Sequence, residues 1–176
     1  MKKFSSVIII TVLTVGYAHL SFGQDVNDKI KSLDIKLFTP AKPTANFVKA
    51  VRSGNLVFLA GHGPGAPDGS SIKGKLGKDL SLEEGKEAAR RCAIALLSSL
   101  QAEIGDLNKV TRIVKVTGMV NCTPDFYDQS KVINGCSDLL VEVFGDKGKH
   151  ARAAVGMVSL PTNIAVEIEM IVEVED

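Results

Sequence analysis

From Ile164 to Val174 apolar and charged positions alternate, with Ile164, Val166, Ile168, Met170 and Val172 on one face and Glu167, Glu169 and Glu173 on the other. A period of two predicts a half-buried strand. The run before it, Arg152 to Val158, is small and apolar, and Leu160-Pro161-Thr162-Asn163 separates the two. Pro161 lacks a backbone donor and Asn163 tolerates turn geometry, so the pattern predicts strand, turn, strand. Arg152 then stands at the mouth of one strand and Glu167 within a neighbouring one.

Upstream, Phe47 to Arg52 and Leu56 to Gly61 predict a hairpin about Ser53-Gly54-Asn55, and the second run is apolar throughout, as a central strand would be. His62 to Gly69 is a Gly/Pro-rich surface loop; it lacks the Gly-Lys-Ser/Thr ending of a phosphate cradle. His62 itself sits at a strand end, where a site could use it. Ser81-Leu82-Glu83-Glu84 is a capping box, followed by the apolar stripe Ala89, Cys92, Leu96, Leu100 and the helix stop Gly105. Arg90 and Arg91 lie off that stripe. Val110 to Val120 is β-branched and predicts a third strand, with Ile113, Lys115 and Thr117 alternating against Val114, Val116 and Gly118. Thr123-Pro124-Asp125 predicts a second helix start, running through Val132, Ile133, Leu139, Leu140 and Val143 toward Gly145. Asp25 to Lys36 has weak helical spacing, ended by Pro40 and Pro43.

The order strand, strand, helix, strand, helix, strand, strand predicts an α/β (α+β) fold: a single mixed sheet with two helices on one face. Val57, Leu59 and Ala154 are expected to leave apolar groups on both sides of it, and self-association would cover the second side.

The chain has 176 residues, 45% of them apolar and only 5% aromatic, so the core should be aliphatic. Net charge is +1, with no basic block interleaved with aromatics, which argues against nucleic acid as a partner. Residues 1–23 carry Lys2 and Lys3, the apolar run Val7 to Val15 and Ser21-Phe22-Gly23, the three parts of a secretory signal. The expected mature chain starts near Gln24, is exported to the periplasm and has no membrane segment after cleavage. Residues 24–45 then form an N-terminal extension and 46–176 the domain. Cys92, Cys122 and Cys136, with His62 and His150, have no metal-ligand spacing, so the expectation is buried thiols, no disulfide, no metal and no cofactor.

Arg152 is followed by Ala153, Ala154 and Gly156, which let a ligand approach the backbone while the guanidinium offers a planar fork to a carboxylate. An edge arginine beside a solvated acidic face explains the same residues. ARAAVGMVSLP followed by VEIEMI resembles the C-terminal signature of the Rid (YjgF, RidA) family of enamine/imine deaminases, and the likeness covers nearly all of 46–174. The resemblance implies a chorismate-mutase-like homotrimer with ligand sites in clefts between subunits. It implies Arg152 as the carboxylate-binding arginine and Glu167 as the acid that orients or activates water. Ala154, Gly61, Asn134 and Phe47 match further ligand-contact positions. Three departures stand beside this match. Ala60 replaces a hydroxyl-bearing residue and Phe47 a tyrosine, the segment after Asp125 and its helix are longer, and the Gly-His-Gly-Pro-Gly loop differs. The implied activity is hydrolysis of a 2-enamino or 2-imino acid to ammonia and a 2-oxo acid. The alternatives are a periplasmic binder of small carboxylates without turnover, and last the endoribonuclease label of some relatives.

Overall fold

The computed structural model describes residues 25–175; the expected secretory signal lies outside them. Ser81 opens the longest helix, α2 (Leu82–Ile104), with its hydroxyl accepting from the Glu84 amide at 3.3 Å while the Glu84 carboxylate accepts from the Ser81 amide at 2.8 Å. Gly105 ends it with a positive φ of 81°, where a side chain would be strained. The stripe Ala89, Cys92, Leu96 and Leu100 is fully buried, as its spacing predicts. Arg91 and Arg90 point away from it, to Glu87 and Glu142.

The other elements are α1 (Val26–Ser32), β1 (Ala50–Ser53), β2 (Leu56–His62), β3 (Val110–Asn121), α3 (Gln129–Phe144), β4 (Ala151–Met157) and β5 (Val166–Val174). The five strands form one mixed sheet in the order β1-β2-β5-β3-β4, with only β3 and β4 parallel. Helices α2 and α3 pack side by side on one face, and the aliphatic core lies between them and the sheet. α1 adds Val26 and Ile30 to that core. All three cysteines are free and buried.

Five expectations are corrected. β4 and β5 are not neighbours: β3 pairs with both and lies between them, so Pro161 and Asn163 sit in a crossing rather than a hairpin turn. Asn163 does take left-handed geometry, φ 60°. β1 begins at Ala50, not Phe47. The second helix begins at Gln129, because the Thr123 amide donates to Leu76 O at 3.0 Å and residues 123–126 close a turn first. In β3, register shifts between Val110 and Arg112 and between Ile113 and Lys115 bring Ile113 and Val116 to the same buried side, against strict alternation. The fifth concerns the second face of the sheet: β2 is internal, as its apolar run predicts, and it is covered on one face only.

Val57, Leu59 and Ala154 all face the helices, so they do not make the second face apolar. That work falls to Val51, Phe58 and Ile171, which form one row across β1, β2 and β5, and to Val155 on β4. Phe58 is 41% exposed and Val51 53%. The open face thus carries an apolar row among charged residues of β3 and β5.

Candidate functional site

Arg152 pairs with Val116 across the β3–β4 ladder, and the next positions on that face, Gly118 and Gly156, look onto Ile133 and Gln129 of α3. Arg152 therefore sits on the helix side of the edge strand. Its Nη1 donates to Asn134 Oδ1 at 2.8 Å and to Ser137 Oγ at 3.1 Å. Asn134 and Ser137 are three apart on α3 and so share one face. Both hydrogens of Nη1 are used. Nε and Nη2 have no partner among the described residues, and together they form the side-on fork that takes a carboxylate through two parallel hydrogen bonds.

Ser137 in turn bonds His150 Nε2 at 3.0 Å, and His150 Nδ1 bonds Gly148 O at 2.7 Å. A carbonyl can only accept, so Nδ1 carries the proton, Nε2 accepts from the Ser137 hydroxyl, and the Ser137 oxygen is left to accept from Arg152. Burial, reinforced by the Arg152 charge and opposed by the Gly148 carbonyl, holds the His150 pKa below its ordinary value. Neutral His150 keeps this chain pointed the right way. Ser137 carries no sequence signal of its own and His150 enters the sequence reading only as a possible metal ligand, although 134 and 137 on α3, and 150 and 152 at the mouth of β4, have the spacing that puts each pair on one face.

Glu167 lies on the other side of the sheet. It pairs with Met119, while its neighbours Val166 and Ile168 are fully buried toward the helices. Gly61 explains its position. A Cβ at residue 61 would stand 2.1 Å from Glu167 Oε1, so the absent side chain is the space the carboxylate occupies. Burial, then the charge of Glu169, raises the Glu167 pKa, with Lys49 opposing. Lys49 is tied to the strand ends by Ala60 N donating to Lys49 O at 3.0 Å, and its ammonium stands 5.7 Å from the centre of the Phe47 ring. Phe47 is exposed and Ala60 half-buried, and neither supplies a hydroxyl.

Within one chain, then, the predicted residues form two groups rather than one. Arg152, Asn134 and Ala154 stand on the helix side at the β4 edge; Glu167 and Gly61 stand on the open face. His62 joins neither. It is buried against α2, with Nε2 2.7 Å from Ser99 Oγ and Nδ1 2.6 Å from Ala60 O, and burial lowers its pKa.

A pH prediction arises from the two imidazoles. Both have folded pKa values below 6.5, so on acidification the unfolded chain takes up protons first. Their contribution to stability is complete above pH 6.5 and is lost as pH falls through 6.5 toward the folded values. The depressed carboxylates, such as Glu84 and Asp106, respond only lower on the scale. Thermal unfolding between pH 7.5 and 5.5 should show a falling midpoint, with a shallower slope in His62→Gln. An equal slope in that variant would remove His62 from the effect.

The family model described as Endoribonuclease L-PSP matches residues 39–174. Protein TCP17 of Trypanosoma cruzi is 43% identical over 148 residues, covering 84% of this chain and 92% of that protein. A RutC family protein of Pyrococcus abyssi is 30% identical over 131 residues, covering 74% and 87%. Among solved structures, a protein of unknown function from Agrobacterium tumefaciens superposes with a TM-score of 0.79 at 39% identity, covering 87% of this chain and 96% of its own. A putative endoribonuclease from Shewanella oneidensis superposes at 0.82 with 24% identity, covering 85% and 99%, a likeness of fold.

Proposed function

Since the chain belongs to the endoribonuclease L-PSP family, the YjgF/RidA/RutC group, we propose that it hydrolyses small 2-imino or 2-enamino acids at clefts between copies of itself. The observation that carries this reading is the partly used guanidinium of Arg152, with Nη1 fixed by Asn134 and Ser137 and the Nε and Nη2 edge left for a carboxylate. A single chain holds Arg152 and Glu167 on opposite sides of its sheet, so one cleft needs Arg152 of one copy and Glu167 of another. The open face, with Val51, Phe58 and Val155 exposed, supplies apolar surface for that association, and a trimer is the assembly proposed.

In such a cleft the substrate carboxylate lies on Arg152 beside the small Ala154. The raised pKa of Glu167 keeps its carboxyl protonated to higher pH than an ordinary glutamate, ready to protonate the imine nitrogen, or the enamine carbon to give the iminium. The resulting carboxylate takes a proton from water as its oxygen adds to C2. Return of that proton to nitrogen makes ammonia a leaving group, and the C–N bond breaks as the hydroxyl proton passes back to the Glu167 carboxylate, releasing ammonia and the 2-oxo acid with Glu167 again protonated. Phe47 and Ala60 leave water to be oriented by Glu167 without a neighbouring hydroxyl. That feature favours a second reading, capture of the carboxylate without turnover. Ribonuclease action is supported by the names of relatives alone, and a net charge of +1 offers no track for a phosphate backbone.

Arg152 variants test the shared premise. Charge-assisted hydrogen bonds contribute roughly 1.5–3 kcal/mol each, so Arg152→Ala should weaken pyruvate or 2-oxobutyrate binding at least about tenfold by calorimetry. Arg152→Lys should fail as well, because lysine keeps the charge and loses the fork. Unchanged affinity in a folded Arg152→Ala protein would exclude Arg152 from the site. The signal-like residues 1–23 support export. Protein recovered from the periplasm should begin near Gln24 and scatter light as a trimer; an intact Met1 terminus, or a monomer at micromolar concentration, would reject the respective claim.

A further inference from the structure

A cavity of about 360 Å³ opens at the far ends of β3 and β4, beyond the chain reversal that precedes α3. It lies at the opposite end of β4 from Arg152. Its wall is largely apolar, formed by Phe126, Tyr127, Met157 and Val158, with Lys75, Gln129 and Thr123 as polar residues, the Thr123 hydroxyl buried without a hydrogen-bond partner among the described residues. Tyr127 and Val158 are 84% and 87% exposed, the two most exposed large hydrophobic residues among those described. Two such groups at one mouth leave apolar surface uncovered where a ligand could cover it.

Lys75 sets the chemistry. Its ammonium donates to Asn121 Oδ1 at 3.0 Å and to the Val158 carbonyl, which uses two of its three hydrogens. Asn121 is fully buried, and its Nδ2 bonds Asn163 Oδ1 at 3.0 Å and Ile164 O at 3.1 Å, so the oxygen that receives Lys75 cannot turn away. No carboxylate pairs with the Lys75 ammonium among the described residues. The nearby Asp79 carboxylate accepts from the Lys75 backbone amide instead, at 3.0 Å. A half-buried cation is thus held in place, with neutral partners only, at the edge of an apolar cavity. The missing complement is an anion.

We propose that this cavity binds a small carboxylate with an aromatic body, Lys75 accepting the charge and Tyr127, Phe126, Met157 and Val158 enclosing the ring. A phosphate or a short hydrophilic acid would leave the apolar wall unused. The volume lies at the lower end of the range of small-molecule sites, roughly 300–1,000 Å³, and suits a ligand of about ten non-hydrogen atoms. The site is built largely from the segment between β3 and α3 and the end of β4, and it shares no residue with the proposed imine cleft.

Phenylacetate and its neutral isostere phenylacetamide are the probes, followed by amide NMR shifts of the mature, full-length protein. Phenylacetate should bind with a dissociation constant of about 1 mM or tighter, shifting Tyr127 and Gln129, and phenylacetamide should bind at least about tenfold more weakly. Lys75→Met should lose the difference between the two probes. Tyr127→Glu changes an exposed rim residue, which protects the fold, and sets a competing carboxylate beside Lys75; it should abolish phenylacetate binding even if Lys75→Met does not fold. Arg152→Ala should leave phenylacetate binding intact, which separates this site from the imine cleft. The proposal is overturned by absence of binding at millimolar probe, by equal affinity for both probes, by retention in Tyr127→Glu, or by loss in Arg152→Ala.

Discussion

Glu167→Gln is expected to leave binding of a 2-oxo acid intact and to lower imine hydrolysis by about a hundredfold or more. Glutamine keeps the size and most hydrogen bonds of the side chain and removes the proton that must shuttle between water and substrate. Release of ammonia from an imino acid generated in the assay is the measurement, with pyruvate affinity as the control. Hydrolysis surviving at the wild-type rate would take the chemistry away from Glu167; hydrolysis absent from the wild-type protein too would favour the binding reading. Gly61→Ala approaches the same carboxylate by another route. The new methyl would meet Glu167 Oε1 at 2.1 Å, and the clash is with the flexible end of a side chain, so the carboxylate moves and the fold survives. Turnover should fall while the unfolding temperature changes little.

Gly135→Ala is expected to destabilise the fold by about 2–3 kcal/mol or more, and Gly135→Val to leave little folded protein. Helix propensity argues for the opposite sign, since alanine is better than glycine in a helix interior by about 1 kcal/mol. Contact geometry decides against it. A Cβ at 135 would stand 2.0 Å from the Lys86 carbonyl oxygen and 2.8 Å from its carbon, and both are backbone atoms of α2. No rotamer relieves that clash, so α2 and α3 must separate and open the interface that covers one side of the sheet. For a domain of this size the loss corresponds to a drop of roughly 5–10 °C in Tm. Gly65→Ala, which meets nothing within 4 Å, is the matched control and should be nearly neutral. A Gly135→Ala protein as stable as that control would refute the close approach of the helices.

What could be read from the chain was local. Ser81, Glu84 and Gly105 mark the ends of α2 because capping bonds span only three or four residues, and β5 was recognisable because one face is buried and the other is not. Thr123-Pro124 has the local chemistry of a helix start, which places the start of α3 five residues too early, because the Thr123 amide is claimed by Leu76, far away in sequence. Ile113 and Val116 share a side because β5 imposes its register on β3, which no window along β3 alone contains.

The candidate site divides the same way. Arg152 and the small residues after it were legible as residue types, and the resemblance to the Rid family implied roles for Glu167, Gly61 and Asn134. Only the fold put Asn134 and Ser137 on the Arg152 guanidinium, inserted β3 between β4 and β5, and set Arg152 and Glu167 on opposite sides of the sheet. Side-chain chemistry is a property of each residue and travels with the sequence. Which face a residue occupies, and which distant group completes its hydrogen bonds, is fixed by strand pairing between segments tens of residues apart, and that is settled when the sheet forms.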